Sequence, residues 1–286
     1  MNKEGILLVF SLAAFNLVFS QGYNGDSWAQ AKAKGEGEIL LAYVESPGMV
    51  YKDNSGKLTG ICVDIMSDFV KYVNQKKNVK LSTKFVGDGG SFKAMYDNVK
   101  ASKNGVIGLG NVTITEERKK ELKFGPPFFT NLTFLLSQNT IPTLAKLEDI
   151  KTAFAGLTSY TAKGTLSEKK TIDLKQKYFP DMKIVYTASS QETYEKVIAD
   201  PKGFAYLELA YYLESVQQRK PLKRHSVGDK ASDKFGFILP LNSDWQPVLE
   251  EFFKADGGYT NSPAYKTILS KHLGEIGLKL LQGAGK

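Results

Sequence analysis

This chain of 286 residues is poor in the side chains on which metal and redox chemistry depend. It has one cysteine, Cys62, so no disulfide can form within the chain. His225 and His272 are its only histidines, which argues strongly against a histidine-based metal site. The G-x-S-x-G motif of many hydrolases is also missing. We therefore expect no metal and no cofactor, and the common enzyme classes have little support in the sequence.

Long hydrophobic runs are scarce too. The apolar run at residues 6–19 is broken once, at Asn16, and is too short for a transmembrane helix. Lys3 precedes this run and the small Ser20 follows it, so residues 1–20 are typical of a secretory signal peptide. No cysteine directly follows the run, which argues against a lipid anchor, and no later stretch is long enough to span a membrane. We expect a secreted or periplasmic protein.

Basic residues are in excess, with a net charge of +8, but their arrangement does not predict nucleic-acid binding. Clusters such as Lys119-Lys120 and Lys169-Lys170 alternate with acids and lack interleaved aromatic side chains. They are typical of solvated faces. At most they indicate a weak attraction for anionic ligands or an acidic partner surface.

Segments typical of strands and of helices alternate along the chain. Ile61, Ile65, Phe69 and Val73 recur every four residues and predict a helix with one apolar stripe. Such alternation predicts an α/β fold with mainly parallel sheets flanked by helices. Residues 21–37, which are polar and rich in Gly and Ala, are expected to form a loose leader.

The most informative segment covers residues 111–129. It contains a polar turn with Thr113, Thr115 and Arg118, followed by a strand that two prolines open. A guanidinium held beside hydroxyls suits a planar carboxylate, because two parallel charge-assisted hydrogen bonds can form at once. The order T-x-T-x-x-R and then F-x-x-P-F resembles the hallmark of the type II periplasmic solute-binding proteins of family 3. Proteins of that family bind amino acids and related solutes, and the Arg of the motif grips the α-carboxylate.

The resemblance extends over most of the chain. Residues 56–65 are similar to the family's G-x-x-x-G-[FY]-x-x-D-[LI] segment, apart from its aromatic position. Residues 91–99 resemble the helix that carries an aromatic, here Phe92, into the cleft. The segment ending at Glu208 resembles the strand whose terminal carboxylate receives the α-ammonium of the ligand.

The resemblance also implies the domain organisation. Each of two lobes would hold a mixed, mainly parallel sheet, and the chain would cross between them twice. The implied division puts residues 38–130 and 229–286 in lobe 1 and residues 131–228 in lobe 2. We find no low-complexity linker, which agrees with such a double crossing, and we expect a monomer that closes around its ligand by a hinge motion.

Two further parts of the predicted site have a structural alternative. Ser159, Tyr160 and Thr161 follow a predicted strand at residues 152–157 and precede a predicted helix, so they suit an anion site or a simple helix cap. Asn111 stands where the family usually has Gly, Ala or Ser. It would either line the pocket or bond its own backbone in a turn.

Tyr43 and Glu208 complete the predicted site. Tyr43 lies at the end of the first predicted strand, where the family often stacks an aromatic on the ligand. Glu208 is one methylene longer than the family's usual Asp, and its alternative is a solvent-facing acid at a helix start.

The predicted function is therefore a solute-binding protein that closes over a small carboxylated solute, such as an amino acid. Arg118 and Thr113 would hold an acidic group, Glu208 an amino group, and Phe92 and Tyr43 would supply an apolar face. The implied partner is a membrane permease of an ABC importer, or a sensor. Two alternatives stay open. One is a lyase resembling the cyclohexadienyl (arogenate or prephenate) dehydratases, with a buried glutamate as general acid. The other is a ligand-sensing module without transport.

Overall fold

A computed structural model describes residues 22–283, so the predicted signal peptide lies outside the described residues. The strands are β1 (Asn24–Gly25), β2 (Glu36–Val44), β3 (Tyr51–Lys52), β4 (Leu58–Thr59), β5 (Lys80–Gly89), β6 (Lys103–Asn104), β7 (Val106–Leu109), β8 (Lys123–Phe124), β9 (Phe129–Gln138), β10 (Thr158–Ala162), β11 (Lys183–Thr187), β12 (Gly203–Glu208), β13 (Leu222–Phe235) and β14 (Ile238–Leu239). The α-helices are α1 (Trp28–Lys34), α2 (Ile61–Lys76), α3 (Phe92–Ala101), α4 (Glu116–Lys119), α5 (Ile150–Ala153), α6 (Leu166–Tyr178), α7 (Ser190–Ala199), α8 (Leu209–Gln217), α9 (Gln246–Lys254) and α10 (Pro263–Gly283). Short 3-10 helices lie at Leu147–Asp149, Ala255–Gly257 and Tyr259–Asn261.

Two five-stranded sheets of the same design form the two lobes. The first has the order β5-β2-β7-β14-β8 and the second the order β11-β10-β12-β9-β13. In each sheet three neighbouring strands are parallel and the remaining two are antiparallel to their neighbours. The predicted α/β class is confirmed: this is the two-lobe type II fold, with mixed, mainly parallel sheets flanked by helices.

The chain crosses between the lobes at two adjacent places. It leaves the first sheet after β8 and enters the second at Phe129, and it returns from Phe235 at the end of β13 to β14. Phe129 and Phe235 are partners in the β9–β13 ladder, and their rings stack with centres 5.7 Å apart. The two crossings therefore run side by side as a paired hinge. The lobe boundaries drawn from the sequence stay a prediction.

Helix α2 forms where the apolar stripe predicts it. Ile61, Ile65, Phe69 and Val73 are all fully buried on its inner face. The helix starts at Gly60, whose φ of 127° lies in the region that favours glycine. A Cβ on that residue would also lie 2.3 Å from a backbone oxygen, so only glycine fits this start.

The last helix contacts both lobes. Helix α10 changes direction at Gly274, where φ is 65°. It contacts α2 of the first lobe and α8 of the second. Beyond the kink, a Cβ on Gly277 would lie 2.8 Å from the Leu213 side chain of α8. The C-terminal segment, which the resemblance assigns to lobe 1, thus also contacts the second lobe.

The segment expected to be a loose leader is ordered from residue 22 onward. Helix α1 begins with a reciprocal capping arrangement between Ser27 and Gln30. The carboxylate of Asp244 accepts the backbone N–H of Trp28 at 2.7 Å, and the Trp28 ring meets the buried Trp245 edge-on at 5.3 Å. The sequence signal was weak because these partners lie more than 200 residues away.

We expect His225 to make the second lobe less stable in acid. It is fully buried, its Nδ1 accepts the Leu144 N–H at 3.1 Å, and its Nε2 lies 2.7 Å from the Ser137 hydroxyl. Burial lowers the pKa of His225 from 6.5 to about 4. Between these values the unfolded chain binds more protons than the folded chain, so stability is lost as the pH falls from about 6.5 toward 4. We expect the titration of this residue to lower the free energy of unfolding by about 2 kcal/mol when the pH falls from 7 to 4.5.

Urea denaturation of the wild type and His225→Gln at both pH values measures this contribution. The variant starts from a lower stability but should lose less of it on acidification, because glutamine does not titrate. An equal loss in both proteins would show that other groups cause the acid sensitivity.

Candidate functional site

The carboxyl ends of the parallel strands of both sheets face each other across the cleft between the lobes. In the second lobe, β10, β11 and β12 lead into α6, α7 and α8 there, which is where open α/β sheets bind ligands. A cavity of about 30 Å³ lies between the lobes. It is lined by Val44, Glu45, Phe92, Asn111, Thr113, Arg118, Asn131, Thr133, Thr165, Leu166, Ser167, Lys170, Ser189, Ser190, Glu208 and Tyr211. This volume holds about one or two water molecules, so an amino acid enters only if the lobes separate.

Arg118 lies at the boundary of the lobes. Its Nη1 donates to the backbone carbonyl of Thr113 at 3.0 Å, and its Nη2 donates to the carbonyl of Gly164, in the second lobe, at 3.4 Å. The guanidinium carbon lies 5.0 Å from the centre of the Phe92 ring and 5.7 Å from that of Tyr96, within cation–π range. The fork is thus held in place by backbone oxygens and two rings.

The two threonines in the turn before Arg118 have different roles. The Thr115 hydroxyl accepts the Arg118 N–H at 3.2 Å and caps the single helical turn of α4. Thr113, which is buried, lines the cavity together with Asn111 and Phe92. The structure therefore brings Arg118, Thr113, Asn111 and Phe92 together as the sequence predicted.

Glu208 faces them from the second lobe. It ends β12 and precedes α8 without capping it through its side chain. Thr133 of β9 is its register partner, so the two side chains point to the same face of the sheet. Lys170 of α6 donates to the Thr133 hydroxyl at 3.0 Å. A carboxylate and an ammonium thus share one wall of the cavity.

Asn131 adds a neutral polar group beside them. Its side chain is only 4% exposed, and its Nδ2 donates to the Thr133 hydroxyl at 3.4 Å. Its Oδ1 has no hydrogen-bond partner within residues 22–283. An acceptor buried in this way is suited to receive a donor from a ligand.

The predicted loop at Ser159, Tyr160 and Thr161 does not reach the cavity from the second lobe. The predicted strand at residues 152–157 is in fact partly helix α5, and the strand is β10, which contains Ser159, Tyr160 and Thr161. Ser159 and Thr161 are buried within the lobe, and the Tyr160 hydroxyl donates to Asp200 at 2.9 Å. None of the three lines the cavity.

The start of α6, rather than β10, lines the cavity from the second lobe. Thr165 accepts the Glu168 N–H at 3.2 Å, and the Glu168 carboxylate accepts the Gly164 N–H at 2.7 Å. The pattern T-x-x-E is a known signal for a helix start and would have located this one. With the helix beginning at Leu166, Lys170 follows one turn later on the same face, so both reach the cavity.

Tyr43 does not reach the cavity either. It is 8% exposed, and its ring meets Phe85 edge-on with centres 5.8 Å apart. Successive side chains of a strand point to opposite faces. At the end of β2 it is Val44 and Glu45 that line the cavity, while Tyr43 packs into the core.

A larger cavity of about 750 Å³ adjoins the small one at Glu45 and Ser189. Its first-lobe wall includes Lys52, which forms an ion pair with Glu45 at 2.8 Å. Its second-lobe wall includes Glu214, whose pKa burial raises, and whose carboxylate accepts a hydrogen bond from Gln218 at 2.7 Å. This outer cavity is therefore lined by both lobes.

Within residues 22–283, no three His, Cys, Asp or Glu side chains are grouped so that they could hold a metal ion. Within the same range, no helix combines the length and the apolar character that crossing a membrane requires.

Residues 39–275 match the bacterial extracellular solute-binding proteins, family 3, and the chain belongs to that family. This is the family that the T-x-T-x-x-R motif resembles, so that prediction is confirmed.

Solved structures agree on the fold. An ancestral arginine-binding protein bound to arginine superposes with a TM-score of 0.64 at 22% identity, covering 83% of this chain and 98% of that one. The arginine-, lysine-, histidine-binding protein ArtJ from Geobacillus stearothermophilus superposes with a TM-score of 0.66 at 18% sequence identity, covering 83% of this chain and 96% of that one. The ancestral amino acid-binding protein AncCDT-1, a precursor of cyclohexadienyl dehydratase, superposes with a TM-score of 0.62 at 18% sequence identity, covering 86% of this chain and 98% of that one.

Proposed function

We propose that this protein binds an amino acid in the cleft between its lobes and closes over it. The observation that carries the proposal is the placement of Arg118 opposite Glu208 across one small cavity. A carboxylate on Arg118 and an ammonium on Glu208 would span the cleft and draw the lobes together. Asn131 Oδ1 would accept a further hydrogen bond from the ammonium.

Transport is the role that fits such binding. The predicted signal peptide supports export, and the family consists of extracellular solute-binding proteins. We propose a periplasmic or secreted protein, monomeric, that delivers its ligand to the permease of an ABC importer. The alternative without transport is that the protein presents its ligand to a sensor.

A thermal-shift screen of the mature chain against amino acids, followed by calorimetry, tests the binding function. A ligand at a hundred times its dissociation constant stabilises the folded state by about 2.7 kcal/mol, an easily measured shift. We expect at least one amino acid to do so. If none of the amino acids raises the melting temperature, the proposed function is wrong.

The same preparation tests the lyase alternative, which is supported by the ancestral neighbour and by the half-buried position of Glu208 in the wall of the cavity. Arogenate and prephenate are incubated with the protein, and the product is measured. Turnover that disappears in Glu208→Gln while binding survives would support catalysis, because glutamine cannot act as a general acid. We expect no turnover.

A further inference from the structure

We propose that the end of helix α10 is a strap that holds the two lobes closed and thereby tightens ligand binding. The strap consists of residues 275–283, which follow the kink at Gly274. The match to the family ends at residue 275, so the family itself does not account for the strap. The proposal rests on the amino-acid-binding function above and concerns what controls the closure of that same site.

The part of α10 before the kink is anchored on the first lobe. The carboxylate of Asp64, on α2, accepts a hydrogen bond from the Lys271 ammonium at 2.8 Å and lies 2.8 Å from Nε2 of His272. The Tyr51 hydroxyl lies 3.0 Å from the other ring nitrogen of His272. Gly274 follows with a φ of 65°, a conformation that favours glycine. The anchored part therefore ends where the helix can change direction.

The strap itself packs on α8 of the second lobe. Gly277 is buried, and a Cβ on it would lie 2.8 Å from Cδ1 of Leu213. Leu280 and Leu281 are partly buried and pack against the main hydrophobic core. Leu281 also lines a cavity beside Phe129, where the chain crosses between the lobes. One short segment thus joins the first lobe, the hinge and the second lobe.

The contact with α8 lies on the cleft side of the hinge. Leu273, just before the kink, and Leu213 line the outer cavity from the two lobes. When the lobes separate to admit a ligand, these two walls move apart, and the strap has to leave α8 or be drawn away from its anchor. A contact made only in the closed form favours that form. The apparent affinity of a ligand that requires closure rises with the closed fraction of the protein.

The rival interpretation is that the strap only covers the hydrophobic core. Leu280 and Leu281 would then be covered equally in the open and the closed form. Disturbing the strap would lower the stability of the fold and leave the affinity for the ligand unchanged. The two interpretations therefore differ in whether binding responds to a residue that lies outside both cavities of the cleft, and Gly277 is such a residue.

Calorimetry with the standard L-amino acids on the wild type, Gly277→Ala and Gly277→Leu tests the strap. The added side chain meets Leu213 in the closed form, so the affinity for each amino acid that binds should fall by about five- to fiftyfold, and further in Gly277→Leu. The factor should be the same for every amino acid that binds, because the strap contacts none of them. Alanine favours a helix more than glycine does, so weaker helix formation cannot cause the loss. Lys279→Leu adds an apolar side chain at an exposed position of the strap and should leave the affinities unchanged.

A double-mutant cycle with Leu213→Ala shows whether the effect acts through α8. The shorter side chain leaves room for a Cβ at position 277, so Gly277→Ala should lower the affinity by a smaller factor in this background than in the wild type. Urea denaturation confirms that each variant is folded. Gly277→Ala is the mildest change and carries the test if Gly277→Leu fails to fold.

The outcomes separate the strap from the binding function. Unchanged affinities in the folded Gly277 variants would overturn the strap and leave amino-acid binding intact. So would a factor that differs between amino acids, or one that is the same with leucine and with alanine at position 213. Failure of every amino acid to bind the wild type would instead refute the proposed function.

Discussion

Replacing Arg118 by alanine should lower the affinity for the amino acid by about two to four decades. The guanidinium is held by the carbonyls of Thr113 and Gly164 and lies over the Phe92 ring, so it is already oriented for a carboxylate. Removing it would leave the ligand carboxylate buried without its partner, which costs roughly 3–5 kcal/mol. The effect on folding should be small, within about 1 kcal/mol, because the side chain is only partly buried.

Calorimetry on the wild type, Arg118→Ala and Arg118→Lys measures this effect. The lysine variant keeps the charge but loses the fork, so its affinity should lie between the other two. Urea denaturation of the same proteins shows whether the fold is intact. A loss of less than about tenfold in Arg118→Ala would remove Arg118 from the binding site.

The largest effect on stability is expected for Trp245→Ala. Trp245 is fully buried in the first lobe, meets Trp28 and Phe69 edge-on, and donates from its indole N–H to the Asp26 carbonyl at 2.8 Å. Truncation leaves a large cavity and an unpaired carbonyl, so we expect the free energy of unfolding to fall by about 3–5 kcal/mol. The same residue anchors α1, so residues 22–35 should become sensitive to protease in the variant.

Denaturant unfolding and limited proteolysis measure these two consequences, and Trp245→Phe is the matched control. Phenylalanine retains an aromatic ring but loses the N–H, so it should be less destabilising than alanine. Because Trp245 does not line the cavity, ligand affinity at low temperature should be unchanged in the folded variants. If Trp245→Ala lowers the free energy of unfolding by less than about 1 kcal/mol, the prediction is wrong. The neighbouring side chains of the first lobe would then have repacked to fill the cavity.

Part of the site could be predicted because its residues are neighbours in the chain. Thr113, Thr115 and Arg118 lie within one turn, where spacing alone decides which groups meet. The sequence did not distinguish their roles, however, because Thr115 caps α4 while Thr113 lines the cavity. Glu208 was selected because it ends a strand and carboxyl ends of parallel strands meet at one edge, and it does line the cavity.

Some of the predicted site residues do not line the cavity, because they were selected on local signals that compete. Tyr43 and Val44 are adjacent at the end of β2 and belong to different core clusters, and only Val44 also lines the cavity. The loop at Ser159 to Thr161 was chosen for its hydroxyls, although the T-x-x-E pattern from Thr165 to Glu168 marks the true helix start. In both cases the residue types suit a ligand, but their position in the element turns them away from the cavity.

By itself the sequence determined the α/β class, the helix at Ile61, the family and the arginine that would hold a carboxylate, since each depends on residues close together in the chain. Only the tertiary structure decided which side chains share the cavity. Thr133 meets Glu208 because β9 pairs with β12, and Lys170 joins them because α6 packs against this sheet. The two lobes then bring that wall to Arg118. These contacts link residues far apart in the chain, and no local pattern encodes them.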